Sequence, residues 1–383
     1  MVAGGGIGGL AAALALSRLG ADVQLIEQAA AFSEVGAGIQ IGPNVTRILH
    51  DWGLQARLRE VGSFVQELVA RDARSGRVLG RLPLGERAVR LYGAPYACIH
   101  RADLHQMLLD AVKAAGVPLS LNQRLLEAMQ HENRVQVRTQ QGLSREVSML
   151  IGADGLWSRS RDALGLHTPP RFSGHLAYRG LIGQPDRPES EVVTVWMGPR
   201  LHVVQYPVQA GRALNVVAIV HGEPPERQDH WDHAAHAAHL FQALGPVCRP
   251  LRQTLEAVPG WRLWALNDRP PLTSAAQMGH GAVALLGDAA HPMRPYLAQG
   301  AGMAIEDAQV LAQCWSNAAT AAEAVQRYAS LRWQRNAQVQ ARAIRNGRIF
   351  HAHGPVSWGR NLLMGSLGAR VMDVPWLYKG LQS

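Results

Sequence analysis

Gly4-Gly5-Gly6-Ile7-Gly8-Gly9 is the stretch that decides the fold, with the G-x-G-x-x-G spacing at Gly4, Gly6 and Gly9. The first glycine of such a pattern permits a tight turn. The second lets the backbone approach a pyrophosphate, and the third lets a helix lie close on a strand. Downstream, Leu10 to Gly20 predicts a helix closed by Gly20. Ala21-Asp22-Val23-Gln24-Leu25-Ile26-Glu27 then predicts a strand ending in an acid, with Glu27 placed 23 residues after Gly4. A carboxylate there can accept from a ribose hydroxyl, which favours FAD or NAD over NADP. Glycines alone are a weak signal; the order strand, turn, helix, strand, acid is a strong one. Only Met1-Val2-Ala3 precede the glycines, so either the opening strand is marginal or the start lies upstream, and cofactor affinity is the property this limits.

Two further blocks repeat the logic. Ala282-Val283-Ala284-Leu285-Leu286 is an apolar strand run leading into Gly287-Asp288-Ala289-Ala290-His291-Pro292. Asp288 then stands at a strand tip, a Pro-interrupted loop follows, and Gly300-Ala301-Gly302 opens a helix. Such an arrangement gathers an acceptor and helix-start N–H groups around one polar ligand. Met149-Leu150-Ile151 is another short strand, running into Gly152-Ala153-Asp154-Gly155 and on to Arg161.

These blocks, in this order and with Arg101 in His100-Arg101-Ala102-Asp103-Leu104, resemble the single-component FAD-dependent aromatic hydroxylases of the p-hydroxybenzoate hydroxylase fold. The similarity runs over essentially the whole chain. It is strongest to the branch holding 3-hydroxybenzoate 6-hydroxylase, salicylate hydroxylase and 6-hydroxynicotinate 3-monooxygenase. The resemblance implies an α/β fold: a discontinuous, Rossmann-like FAD-binding domain, an inserted β-sheet substrate domain, and C-terminal helices. The expected boundaries are 1–70, 98–170 and 276–345 for FAD, 71–97 and 171–275 for substrate, and 346–383 for a helical tail. It implies that Asp154 organises the pyrophosphate region, with Arg161 on the first turn of the next helix. Arg101 would contact the flavin side, Pro292 would border the ring, and Gly300, Ala301 and Gly302 would offer N–H groups to its pyrimidine. It also implies NADH or NADPH and O2 as co-substrates, with no separate nicotinamide domain. In that family reduced FAD and oxygen give a C4a-hydroperoxyflavin, whose distal oxygen passes to an electron-rich ring. The alternative on the same scaffold is a flavin oxidase or reductase without ring hydroxylation.

Ring hydroxylation asks the protein for a proton acceptor facing an apolar cavity. Gly198-Pro199-Arg200-Leu201-His202-Val203-Val204-Gln205-Tyr206-Pro207 can supply one, because alternation puts His202, Val204 and Tyr206 on one strand face. His202 and Tyr206 could be ordinary strand residues with satisfied polar tips. The resemblance of this segment to the substrate strand of the same branch makes His202 the base or acceptor and Tyr206 an orienting group. Pro295 stands where the 3-hydroxybenzoate enzyme has a glutamine, which counts against that exact substrate. Gln299 can substitute or cap the next helix; Glu306 and Asp307 read as supporting or helix-start charges.

With 47% apolar and 17% charged residues in 383, the composition is globular and long enough for two domains. No run approaches a membrane span, and the N-terminal residues lack a secretory pattern. Cys98, Cys248 and Cys314 are widely separated. They give no disulfide framework and no metal spacing, so a cytoplasmic location and no metal are expected. A net charge of +9 suits anionic cofactors and an aromatic carboxylate. The basic residues are scattered, which argues against nucleic acid. Residues 171–267 read as β-rich, Asp103 to Ala115 as a helix, and Asp229 to Leu244 as an exposed helix. Arg134–Arg138 and Glu146–Leu150 read as a hairpin. The tail with Trp358, Trp376 and Tyr378 reads as packing or as contact in a homodimer.

Overall fold

The computed structural model describes residues 1–32, 37–183, 191–224, 233–235 and 237–380. The chain divides into two compact units. The first comprises residues 1–34, 104–171 and 267–343; the second comprises 35–103, 172–266 and 344–383.

The first unit is built on a six-stranded sheet. From edge to edge its strands are Gly279–His280, Val283–Leu285, Leu150–Gly152, Val2–Ala3, Leu25–Ile26 and Leu119–Ser120. All neighbours run parallel except the antiparallel pair at the first edge. The opening strand is two residues long, yet Val2 and Ala3 are buried and pair on both sides. Its position, not its length, gives it a role. The second strand is shorter than its apolar run, being confined to Leu25–Ile26. The helix after the glycine turn is Ile7–Ser17, and Gly20 (φ 86°) closes the descent. This helix packs on Gly300–Ser316.

A three-stranded antiparallel sheet, Leu125–His131, Arg134–Thr139 and Ser144–Val147, lies on the same core through Leu125, Val135 and Val137. The expected strand Glu146–Leu150 is split here. Residues up to Val147 pair with Arg134–Thr139, whereas Leu150 begins a parallel strand in the large sheet. Apolar periodicity cannot register such a change of partner.

The second unit holds an eight-stranded sheet. Its order is His233–Ala235, Trp261–Asp268, Arg171–Gly183, Ala213–His221, Leu201–Val208, Val192–Gly198, Glu67–Asp72 and Val78–Pro83. One face carries Leu201, Val203, Val216, Ala218 and Val220. It packs on Leu240, Leu244, Leu251 and Leu255 of the helices Ala237–Leu244 and Arg249–Glu256. The single exposed helix expected over 229–244 is therefore not what forms. Residues 229–232 and 236 lie outside the described residues, 233–235 add an edge strand, and the helix that follows buries two leucines. Among the described residues no helix is long and apolar enough to cross a membrane.

Candidate active site

The glycine turn is tied down from several directions. Gly4 has φ 110°, a region side chains avoid, and a Cβ there would strike the Ala153 carbonyl. A Cβ on Gly9 would strike the Gly4 carbonyl, whereas one on Gly6 would meet nothing within 4 Å. So the turn is closed where helix, strand and the Asp154 loop meet, and open at Gly6. Gly6 is also the N-cap of helix Ile7–Ser17 and supplies no side-chain cap. Helix-start N–H groups next to open space form an anion cradle.

Glu27 accepts from the Gly5 N–H through Oε2 (2.6 Å) and from the Ala29 N–H through Oε1 (2.8 Å). On the other side of Gly5, His105 Nε2 lies 2.8 Å from its carbonyl oxygen. Glu27 thus shapes the turn, and a carboxylate retains further acceptor sites for a ribose. Glu27→Ala is expected to weaken FAD by about 1–3 kcal/mol, measured by titrating apoprotein with FAD. An unchanged dissociation constant in a folded variant would remove Glu27 from the cofactor site.

Asp154 accepts from the Ser158 hydroxyl (2.6 Å) and from the N–H groups of Arg159 (2.8 Å) and Ser160 (2.9 Å). It therefore caps its own loop. Arg161 lies in the short 3-10 turn Ser160–Leu164 rather than in an α-helix. Buried there, it donates to the Ala289 carbonyl at 2.8 Å. That bond joins the Asp154 loop to the residue after Asp288. Arg161 Nε and Ser160 Oγ are buried without a hydrogen-bond partner.

Asp288 is exposed in a 3-10 turn directly after the strand, and Pro292 is buried. Gly300 opens the 17-residue helix Gly300–Ser316. Gln299 is its N-cap residue, but the side chain makes no cap hydrogen bond and is buried. Glu306 and Asp307 are not helix-start charges, and of the two expectations the supporting one stands. Both are buried well inside the helix. Asp307 accepts from Arg332 Nε (2.8 Å), Asn336 Nδ2 (3.0 Å) and the Gly287 N–H (3.1 Å), with His291 Nε2 at 2.6 Å. Glu306 pairs with Arg332 (2.8 Å) and Arg335 (2.7 Å). Burial alone would raise the Asp307 carboxyl; His291 and Arg332 outweigh it and hold the group well below the ordinary range. Within this unit Gly4, Gly6, Glu27, Asp154, Asp288 and Pro292 lie on loops around one sheet, and Gly9, Gly300, Ala301 and Gly302 lie in the first turns of two helices beside it. An open cradle at Gly6 and unpartnered polar atoms at Ser160 and Arg161 fit a large anionic dinucleotide.

Arg101, His202 and Tyr206 belong to the second unit. Arg101 starts the helix Arg101–Ala114, and its N–H donates to the Ala37 carbonyl at 2.9 Å. Pairing of His202 with Ile219, Val204 with Val217 and Tyr206 with Asn215 puts the three side chains on the sheet face opposite the leucine-packed one. Next on that face come Arg179, paired with Val217, and His175, paired with His221. Tyr206 donates its hydroxyl to the Gly38 carbonyl at 2.6 Å, while the Gly38 N–H donates to Asn215 Oδ1 at 2.7 Å. Burial pushes the Tyr206 hydroxyl well above its usual value, so the ring is neutral and fixed.

His202 is buried, and its Nδ1 lies 2.8 Å from His351 Nε2. Burial, then His175, pushes it down to about 3, so it stands as a neutral imidazole. Sequence reasoning missed Arg179. Its guanidinium lies 3.4 Å over the Trp264 ring, its Nε has no hydrogen-bond partner, and burial pulls it down to about 9. No carboxylate among the described residues pairs with it. A strand arginine gives no such signal in sequence, because its isolation depends on its neighbours in space.

A parallel sheet with a glycine turn, an acid at the second strand and a helix-opening loop at a later strand tip defines the dinucleotide-binding flavoproteins. The chain belongs to the FAD binding domain family, whose model matches residues 1–351. It is 38% identical to the 3-hydroxybenzoate 6-hydroxylase of Polaromonas naphthalenivorans, over 99% of this chain and 95% of that one. It is 37% identical to the 6-hydroxynicotinate 3-monooxygenase of Bordetella bronchiseptica, over 81% and 80%. In fold it is similar to Klebsiella pneumoniae HpxO solved with FAD and uric acid (TM-score 0.85, 24% identity, 97% and 94% covered). The chain is thus an FAD-dependent aromatic-ring monooxygenase using NADH or NADPH. FAD, when bound, supplies the redox chemistry with O2.

Proposed function

We propose that the substrate is a small hydroxybenzoate-like or hydroxypyridine-like ring carrying a carboxylate. The observation that carries this reading is Arg179, a half-buried residue whose guanidinium stacks on Trp264 and whose Nε is buried without a hydrogen-bond partner. A cation partly withdrawn from water without a counter-ion is costly, and an anionic ligand would offset that cost. Both curated relatives above are named for carboxylated rings bearing a hydroxyl. Pro295 offers no side-chain hydrogen bond, which favours a ring other than 3-hydroxybenzoate itself.

In this reading His202 takes the ring hydroxyl's proton. Burial lowers its intrinsic basicity, but a phenolate formed beside it favours the charged imidazole and restores that basicity. Tyr206, with its hydroxyl spent on Gly38, forms a fixed wall rather than a donor. Asp154, Asp288 and the first residues of the helix Gly300–Ser316 are assigned to FAD.

The test is a panel of hydroxylated aromatic acids, scored by NAD(P)H consumption and by product mass. Arg179→Met should raise KM for the acid about 10–100-fold, the scale of a charge-assisted hydrogen bond. It should leave KM for the matching primary amide nearly unchanged. Equal effects on acid and amide would show that Arg179 does not meet the carboxylate.

A further inference from the structure

Four histidines from separate elements meet on the polar face of the eight-stranded sheet. His175 Nε2 lies 3.2 Å from His221 Nε2, and His221 Nε2 lies 3.0 Å from His351 Nδ1. His351 Nε2, the other nitrogen of that ring, faces His202 Nδ1 at 2.8 Å. One ligand atom each from His175, His221 and His351 falls within 4.8 Å of the others. We propose that His175, His221 and His351 form a binding site for a divalent transition-metal ion of the zinc, nickel or copper type.

Valence disfavours a cluster held by hydrogen bonds alone. A neutral imidazole nitrogen offers either one N–H or one lone pair. His221 Nε2 has two ring nitrogens within hydrogen-bond distance, and a single N–H or lone pair cannot serve both well. A cation held by three lone pairs satisfies all three nitrogens together. Their separations agree, because tetrahedral nitrogens at about 2.0–2.1 Å from an ion stand roughly 3.3 Å apart. Imidazole ligands without a thiolate suit borderline ions over calcium or magnesium.

The second nitrogens fit as well. Metal-bound histidines usually donate their other N–H to a fixed acceptor. His175 Nδ1 lies 3.4 Å from Ser173 Oγ, and His351 Nε2 has His202 Nδ1. His221 is exposed, which gives an ion a way in. Arg200 and Arg360 are close enough to act on the cluster and oppose a dication, so micromolar rather than tighter affinity is expected.

A metal at this site would set the tautomer of His202. With His351 ligating through Nδ1, its Nε2–H must donate to His202 Nδ1, and the His202 proton then sits on Nε2. His202 becomes a donor there and cannot take a ring proton. Zinc should therefore inhibit hydroxylation; this consequence, unlike the site itself, rests on the reading of His202 as the proton acceptor.

The experiment is equilibrium dialysis of the chelator-washed holoenzyme against Zn2+, with metal and FAD quantified per chain. The expected result is one zinc per chain in the unaltered protein and about 100-fold weaker binding in His221→Ala and His175→Gln, each with normal FAD content. No zinc above one-tenth per chain, or binding unaltered in both variants, would overturn the site. NAD(P)H turnover on the same samples separates the two ideas. Site-specific zinc without inhibition keeps the metal site and sinks the base reading, and no zinc binding sinks the site while leaving the base reading untouched.

Discussion

Replacing His202 by alanine is expected to slow ring hydroxylation by about 10²–10⁴, the range for a positioned proton acceptor. His202 is buried and neutral, with Nδ1 2.8 Å from His351, and the proposed reading gives the proton-accepting role to its other ring nitrogen. Without it the hydroxyl keeps its proton and the ring is a poorer nucleophile. NAD(P)H oxidation should then continue with less product and more hydrogen peroxide. FAD content should be unchanged, since His202 lies in the second unit and the dinucleotide cradle in the first. Following NAD(P)H, peroxide and product together checks this. Wild-type rate and coupling in the variant would make His202 a structural residue.

Asp307→Ala is expected to cost about 3–5 kcal/mol of stability, the scale for removing one partner of a buried ion pair. Arg332 is fully buried and shares its guanidinium between Asp307 and Glu306. Loss of Asp307 leaves it under-compensated in a low-dielectric interior. The same carboxylate holds the Gly287 N–H and His291, so the loop from residue 287 to 292 should loosen and FAD retention should fall. Urea unfolding of apoprotein and holoprotein measures both effects. The pH dependence has a definite sign. The folded carboxyl is depressed below its ordinary value of 3.8. Its contribution is therefore complete above that value and is lost as pH falls through the depressed folded one. The variant should show a flatter loss of stability in acid than the unaltered protein. Equal stability of the two proteins at neutral pH would contradict the account of this network.

Local patterns carried the first unit. A glycine turn, its helix and the acid at Glu27 depend on residues within one short stretch, so backbone freedom and hydrogen-bonding capacity could be judged from sequence. The face shared by His202, Val204 and Tyr206 follows from period-two alternation for the same reason. Long-range partnership was not legible. Glu306 and Asp307 look like charges at a helix start until Arg332, 25 and 26 residues further along the chain, is brought against them. Glu146–Leu150 looks like one strand because sequence does not say which sheet a residue will join. Arg179 and the histidine cluster draw on strands and a helix end far apart in the chain, and only the strand register puts them on one face.

Aromatic-ring monooxygenation inserts one oxygen atom of O2 into a small aromatic ring at the expense of NAD(P)H. The most direct measurement supplies 18O2 to the FAD-loaded enzyme with the best substrate of the panel and weighs the product against NAD(P)H consumed. The account predicts one labelled oxygen per product and close to one product per NAD(P)H. Oxidation of NAD(P)H stimulated by aromatic acids, with labelled hydrogen peroxide as the only oxygen product, would contradict it and identify a flavin oxidase on the same scaffold.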